Sequence, residues 1–383
     1  MARLDNPGEL TPTTMVKFNL LIGDPSNINT RGLYSPLLDN RQLLSENQIS
    51  VRLFTKCTSN IWDCDVLGVD SKYYRTSWQV SEESTLKEIE QVREKVPVLI
   101  WFNTADSTGG IQAQVMPLVD LYCKAQMLRE PTLYQKPMYG GRVYTDYFHR
   151  SHNISDDQPL ISRVVSPLDL DKKLRVFWNY GLARGYAKFG RFEKMRSRIH
   201  AKGWPLAAEN NYYEPDGIRP NAVFLRMQID YPRNSVSIQR KKTVAALRRF
   251  GASSERASKR QYFREMARSK VVVSPFGWGE INIRDFECFT LGSLLVKPSM
   301  SHLETYPRFF VENETYIPYR WDCSDVTEKI GEVIQNYSRY VWIAREAQER
   351  FKSALETKES QEEFVQRVHQ ILEEALENRQ TSS

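Results

Sequence analysis

The sequence predicts an α/β protein of two parallel-sheet halves, and three observations carry the prediction. The chain has 383 residues, more than the roughly 250–300 at which single cores stop growing. Short, continuously apolar runs alternate with helix-like stretches, the pattern of a parallel sheet covered on both faces. The alternation breaks at the polar, Pro- and Gly-bearing segment 209–220 (ENNYYEPDGIRP), the expected linker, and then starts again.

Residues 16–22 (VKFNLLI) read as a first strand closed by the turn Gly23-Asp24-Pro25. A helix is expected around 36–46, a strand at 49–54 and another at 65–69. Residues 81–95 read as a helix, acidic near its start and with Arg93 and Lys95 near its end, which suits the helix dipole. Residues 96–102 (VPVLIWF) are the most apolar strand of this half and lead into the polar loop 103–110; 118–123 reads as the next strand. Residues 131–155, rich in Tyr, Gly and Pro, predict ordered loops, and 174–188 and 192–202 predict helices. In the second half strands are expected at 222–229, 270–275, 294–297 and 315–318. Helices are expected at 236–250, 260–269, 282–292 and 324–336, the last with Ser324 as its N-cap. The remainder reads as helix up to a frayed tail at 378–383. Phe364, Val365, Val368, Ile371, Leu372, Ala375 and Leu376 share one face of it, which calls for a docking partner. The expected divisions are a first domain over 1–210, a second over 211–360 and a closing helix over 361–383 that crosses back to the first. Two Rossmann-like domains would then face each other across a cleft, because open parallel sheets bind ligands at their strand carboxyl ends.

Hydrophobic residues make up 41% and aromatics 11%, which excludes wholesale disorder and fibrous architecture. A net charge of +6 suits anionic ligands or membrane surfaces and falls far short of a dedicated nucleic-acid binder. The five cysteines are scattered without a CxxC pair, so neither a disulfide framework nor a zinc ribbon is indicated, and a reducing compartment is the simplest reading. Residues 1–14 lack an apolar signal region, and no stretch approaches the roughly 18 apolar residues of a membrane span. The expected location is the cytoplasm, with peripheral association at the inner face of a membrane left open as an alternative. The GxSxG, P-loop and HExxH motifs are absent. The triplets Asp63-Cys64-Asp65 and Asp169-Leu170-Asp171 lie far from the segment described next, and no metal is expected.

The chemistry concentrates in residues 270–298 (KVVVSPFGWGEINIRDFECFTLGSLLVKP). A buried strand runs into a turn bearing Gly277 and Gly279, then a helix that ends at Gly292 before another strand. Such a turn presents backbone N–H groups and a helix N-terminus to a phosphate. Arg284 and Glu287, three apart, share a helix face. A guanidinium can meet a diphosphate, and a carboxylate can accept two ribose hydroxyls. The segment resembles the donor-binding region of GT-B glycosyltransferases, in particular the exostosin-like and bacterial group-1-like families, through Arg284-Asp285-Phe286-Glu287-Cys288 followed by Gly292. The close likeness covers about thirty residues, 270–298, and the alternation of both halves and the terminal helices agree with it more loosely. It implies a GT-B-like fold with C-terminal helices, a nucleotide-sugar substrate in place of a cofactor, and Glu287 as the ribose ligand. The spacing of Glu280 to Glu287 is one residue short of the two-glutamate pattern of a large retaining group, whose first glutamate would fall on Gly279.

From Gln239 through Lys270 stand eleven Lys or Arg and two Glu. Most read as a solvated helix face, while Arg240 and Lys241 are expected at the diphosphate, joining Gly277, Gly279, Glu280, Arg284 and Glu287 in the donor site. In the loop after the most apolar strand of the first half, Asp106 is the expected general base, against the plain alternative of an Asx-turn. Asp24, Asp146 and His149 are expected at the acceptor. The resulting expectation is a glycosyltransferase of polysaccharide biosynthesis, leaning inverting, that passes a sugar to a glycan, lipid-linked glycan or protein. The alternatives are a nucleotide-sugar epimerase of the same fold and a non-catalytic glycan- or nucleotide-binding module.

Overall fold

The computed structural model describes residues 15–184, 193–203, 211–251, 255 and 257–381. The polar segment 1–14 lies outside them, as do the parts of the expected helices 174–188 and 192–202, of the segment 209–220 and of the tail that fall elsewhere. The strands are β1 Val16–Leu21, β2 Ile49–Phe54, β3 Val66–Asp70, β4 Val98–Asn103, β5 Leu121–Lys124, β6 Gln126–Leu128, β7 Leu174–Val176, β8 Asn221–Phe224, β9 Ser269–Val273, β10 Leu294–Pro298, β11 Leu303–Thr305 and β12 Ile317–Tyr319. A six-stranded sheet has the order β2-β1-β3-β4-β5-β7, and a four-stranded one the order β12-β10-β9-β8. Every pairing in both is parallel. The fold is thus α/β with two parallel sheets, as the alternation of apolar runs predicts. In the first sheet the strand order reverses between β1 and β3; in the second the described strands lie in chain order.

The helices are α1 Ile28–Asp39, α2 Arg41–Glu46, α3 Arg75–Val80, α4 Glu82–Arg93, α5 Val143–His152, α6 Pro167–Lys173, α7 Glu193–His200, α8 Asn234–Ala246, α9 Lys259–Ala267, α10 Ile283–Thr290, α11 Val326–Gln335, α12 Tyr337–Glu356 and α13 Lys358–Thr381. Among the described residues no helix is long and apolar enough to cross a membrane. The halves are joined at backbone level, because β6 and β11 pair antiparallel, Leu128 opposite Leu303 and Gln126 opposite Thr305. One apolar cluster is continuous from Phe18 and Leu20 through Trp178 to Phe286, Phe351 and the inner face of α13. That last helix lies on the first sheet. The Phe364 ring meets Trp178 at 5.0 Å, Arg175 pairs with Glu374 at 2.5 Å, and Asn378 Nδ2 donates to Asp120 O at 3.1 Å.

Several elements differ from the sequence expectation for identifiable reasons. Residues 174–176, expected within a helix, form β7, an edge strand too short to display a period. Helix α1 begins at Ile28, upstream of Pro36, which the sequence places at a helix start. Pro36 has no N–H to offer the Gly32 carbonyl; the Trp178 indole N–H supplies one instead, at 3.2 Å. The expected loop region 131–155 contains α5. Asp325, rather than Ser324, occupies the N-cap position of α11. The described part of the expected linker is pinned rather than loose: buried Arg219 donates to Pro215 O, Ala267 O, Leu291 O and Ser293 Oγ. Gly292 does end its helix, at a φ of 64° that favours glycine, and the Tyr213 carbonyl occupies the space that a Cβ would need.

Candidate active site at the junction of the two sheets

The loops at the carboxyl ends of the two sheets meet through residues 104–110, after β4, and 277–280, after β9. Glu280, fully buried, accepts from Thr108 N (3.1 Å), Thr108 Oγ1 (2.5 Å) and Ser107 Oγ (3.3 Å). Burial works to raise its carboxyl, but the neighbouring His302 and the Thr108 bonds outweigh it and hold the group below its usual value. His302 is placed one residue ahead of β11, with Nε2 3.6 Å from Glu280 Oε1. That distance permits charge attraction but is too long for a hydrogen bond, and both ring nitrogens are buried without a hydrogen-bond partner. Lys124 closes the strand β5 below them and donates to Ser107 O (3.4 Å) and Gly110 O. Burial pulls its ammonium down to about 7, partly opposed by Glu280.

Gly279 is pressed against Asp106, whose carbonyl oxygen fills the place where a Cβ would stand, so only glycine fits. The Asp106 carbonyl accepts from Gln126 Nε2, and its Oδ1 accepts from Asn29 Nδ2 at 2.6 Å. The Asp106 residue is otherwise exposed. Gly277 gives its carbonyl to Tyr144 OH and leaves room for Arg240, whose Nη2 lies 2.5 Å from where a Cβ would stand.

Helix α10 presents the two residues that the sequence pairs. Its inner face is fixed by a fully buried ion pair, Asp285 to Lys297 at 3.0 Å, with Ser274 Oγ donating to Asp285 at 2.6 Å. The next face carries Arg284 and Glu287, bridged by Tyr262 of α9. Tyr262 OH donates to Glu287 Oε2 at 2.8 Å and accepts from Arg284 Nε at 3.3 Å. Arg284 Nη2 donates to Arg226 O just beyond β8, while Nη1 is buried without a partner. Loss of water pushes the Glu287 carboxyl up to about 7, against the pull of Tyr262 and Arg284.

The remaining expected site residues are dispersed. Arg240 is buried and donates to Phe276 O (2.6 Å), Gln228 O (2.9 Å) and Asn282 Oδ1 (3.4 Å), so its guanidinium braces the 276–282 turn. Burial pulls its pKa to about 10. Lys241 is exposed, 3.7 Å from Asp230. Asp24 closes an Asx-turn onto Ser26 N at 3.0 Å. Asp146 accepts from Tyr139 N (2.9 Å) and pairs with Arg150 (2.8 Å), and the His149 ring stacks on Tyr139 at 3.8 Å. Asp146 and His149 thus knit α5 to the preceding loop. Sequence reasoning missed His302, Lys124 and the pair Arg142 and Arg233, whose guanidiniums stand 5.4 and 6.0 Å from the ring of the exposed Trp278. A lone lysine at the end of an otherwise apolar strand was the one available signal. Among the described residues no group of three His, Cys, Asp or Glu is arranged to hold a metal ion.

No protein family and no curated protein matches the chain. Similar solved structures include HepE of Anabaena in complex with UDP and glucose, at 11% identity and a TM-score of 0.43, covering 94% of this chain and 99% of that one. An alpha-glucosyltransferase in complex with UDP is similar at 10% identity and a TM-score of 0.41, over 92% of this chain and 100% of that one. A glycosyltransferase from Rickettsia africae is similar at 9% identity and a TM-score of 0.43, over 95% and 99%.

Proposed function

We propose that the chain is a glycosyltransferase that holds a nucleotide-sugar in its second half and passes the sugar to a glycan, lipid-linked glycan or protein acceptor held by the first. The observation that carries this reading is the Arg284–Tyr262–Glu287 chain on α10 and α9, directly after the turn whose Gly279 packs on Asp106. Glu287 is suited to accept two ribose hydroxyls, which favour its charged form against the desolvation that raises its pKa. Arg284 has one donor, Nη1, without a protein partner, and it is the group that would meet the diphosphate. Arg240, whose donors are engaged, supports the turn rather than the phosphate in this reading, and Lys241 acts from the solvent side.

In the proposed reaction Asp106 takes the proton of an acceptor hydroxyl, and the oxygen attacks the anomeric carbon. The bond to the diphosphate then breaks, and Arg284 stabilises the charge that grows on it. Attack from the face opposite the diphosphate inverts the anomeric centre. No bound metal takes part. Incubation with UDP-, GDP-, CMP- and dTDP-sugars together with glycan, lipid-linked glycan and protein acceptors, and analysis of the products, tests the reading: transferred sugar supports it, while an epimerised donor sugar or binding without turnover across these acceptors refutes it. Asp106→Asn is expected to leave donor binding nearly intact and to slow transfer by at least about a hundred-fold, within the range of general-base catalysis. Transfer at the normal rate would remove Asp106 from the mechanism.

A further inference from the structure

Two adjoining open cavities, of about 740 and about 670 Å³, share Asp24, Pro25 and Thr55 in their walls; β2, α1, α2 and α7 complete the first, and the loops that follow β1, β2 and β3 form the second. The second lies where the strand order of the first sheet reverses, between β1 and β3, the position at which open parallel sheets bind ligands, and the first lies beside it along the edge strand β2. Each is of a size that encloses a small ligand. Their walls are strongly one-signed. Arg41, Arg52, Arg198 and Lys202 line the first, and Lys56, Lys72 and Arg75 line the second. Among the described residues of both linings, Asp24 alone is acidic.

Among the described residues, Arg52 pairs with Asp63, at 3.5 Å, and none of the other six cations has an ion-pair partner. Six unneutralised positive charges gathered in a concave wall repel one another and focus a positive potential into the space they surround. An anion in that space would relieve the repulsion. The start of α1 links the crevice to the junction along the chain: Asn27 lines the second cavity, and Asn29, two residues on, donates to both Thr104 O (2.9 Å) and Asp106 Oδ1 (2.6 Å).

We infer that this crevice is the acceptor site, and that the acceptor is anionic through a phosphate group, carried by a soluble sugar phosphate or by a lipid-linked one. The inference rests on the glycosyltransferase reading for the word acceptor, but the anion site stands on the crevice alone. Calorimetric titration without nucleotide tests it, using hexose 6-phosphate against the unphosphorylated hexose, and vesicles of phosphatidylcholine with phosphatidic acid against phosphatidylcholine alone. A short single-stranded DNA is the third probe.

The phosphate-bearing member of at least one of the first two pairs is expected to bind and the neutral member not to. The double variant Lys72→Gln/Arg75→Gln, altered only at side chains without a protein ion pair, is expected to weaken that binding at least about ten-fold. Binding in the soluble arm marks a soluble acceptor, and binding in the vesicle arm alone marks a lipid-borne one. No binding by any phosphate probe, binding indifferent to the double variant, or tighter binding of the DNA overturns the inference. Nucleotide titration of the same protein separates the two readings. Phosphate binding without nucleotide binding sinks the transferase and leaves the anion site standing, and the reverse result sinks the anion site alone.

Discussion

Glu280 receives three hydrogen bonds from the opposite half of the molecule and faces His302, so its loss strands several buried polar groups at once. Glu280→Ala is expected to lower stability by at least about 1–3 kcal/mol, the cost of leaving a buried donor such as Thr108 N–H without its partner, and Glu280→Gln by less; urea unfolding at neutral pH measures both. An Ala variant as stable as the parent would show that the junction does not hold the halves. Acid titration adds a second reading. Because the folded Glu280 carboxyl sits below its ordinary 4.5, the stability it contributes is present above that value and is lost as pH falls through the lower folded one. Lys124 acts in the opposite window. Its folded pKa is about 7 against an ordinary 10.5, so its burial cost is complete below about 7 and is relieved as pH rises towards 10.5. Stability should climb over that alkaline window, and Lys124→Met should abolish the climb.

Among the elements, the turn 277–280 and the loop 104–110 fit only because Gly279 has no side chain. Gly279→Ala forces one backbone away from the other and is expected to cost about 1–3 kcal/mol, the usual range for overpacking; a loss below that range would mean the loops yield without strain. The same two elements illustrate what the sequence discloses. The apolar run of β4 and the alternation around α10 were legible because their patterns are long enough to register. The α13 face was legible for the same reason, and six of its seven marked residues are buried. β7, three residues long, carried no period, and α1 was obscured because Trp178, distant in sequence, supplies the hydrogen bond that Pro36 cannot. In the site, Arg284 and Glu287 were legible because three-residue spacing on a helix fixes a shared face. The Glu280–His302 contact was not, since it joins the irregular segments that follow the neighbouring parallel strands β9 and β10, a proximity no local pattern displays. The partner of Gly279 was equally hidden: a glycine in a turn signals close approach but does not say whether a phosphate or a peptide comes close.

For the molecule as a whole, one apolar cluster that spans both halves and a backbone ladder tie the two sheets together, and α13 packs on the first sheet. Ile371→Ala, in the middle of the buried face of α13, is expected to cost about 2–5 kcal/mol and to do so in one cooperative unfolding transition. Two separated transitions, with only the first half affected, would show that the sheets fold independently. The proposed function depends above all on α10 holding a nucleotide through Glu287 and Arg284. Calorimetric titration of UDP, GDP, CMP and dTDP into the parent protein and into Glu287→Ala, with folding checked by circular dichroism, probes that step itself. At least one nucleotide is expected to bind the parent. The variant, still folded, is expected to bind it at least about ten-fold more weakly, since a hydrogen bond to a charged group contributes about 1.5–3 kcal/mol. Equal affinity in the two proteins, or binding of none of the four nucleotides to the parent, would mean that α10 is not a nucleotide site.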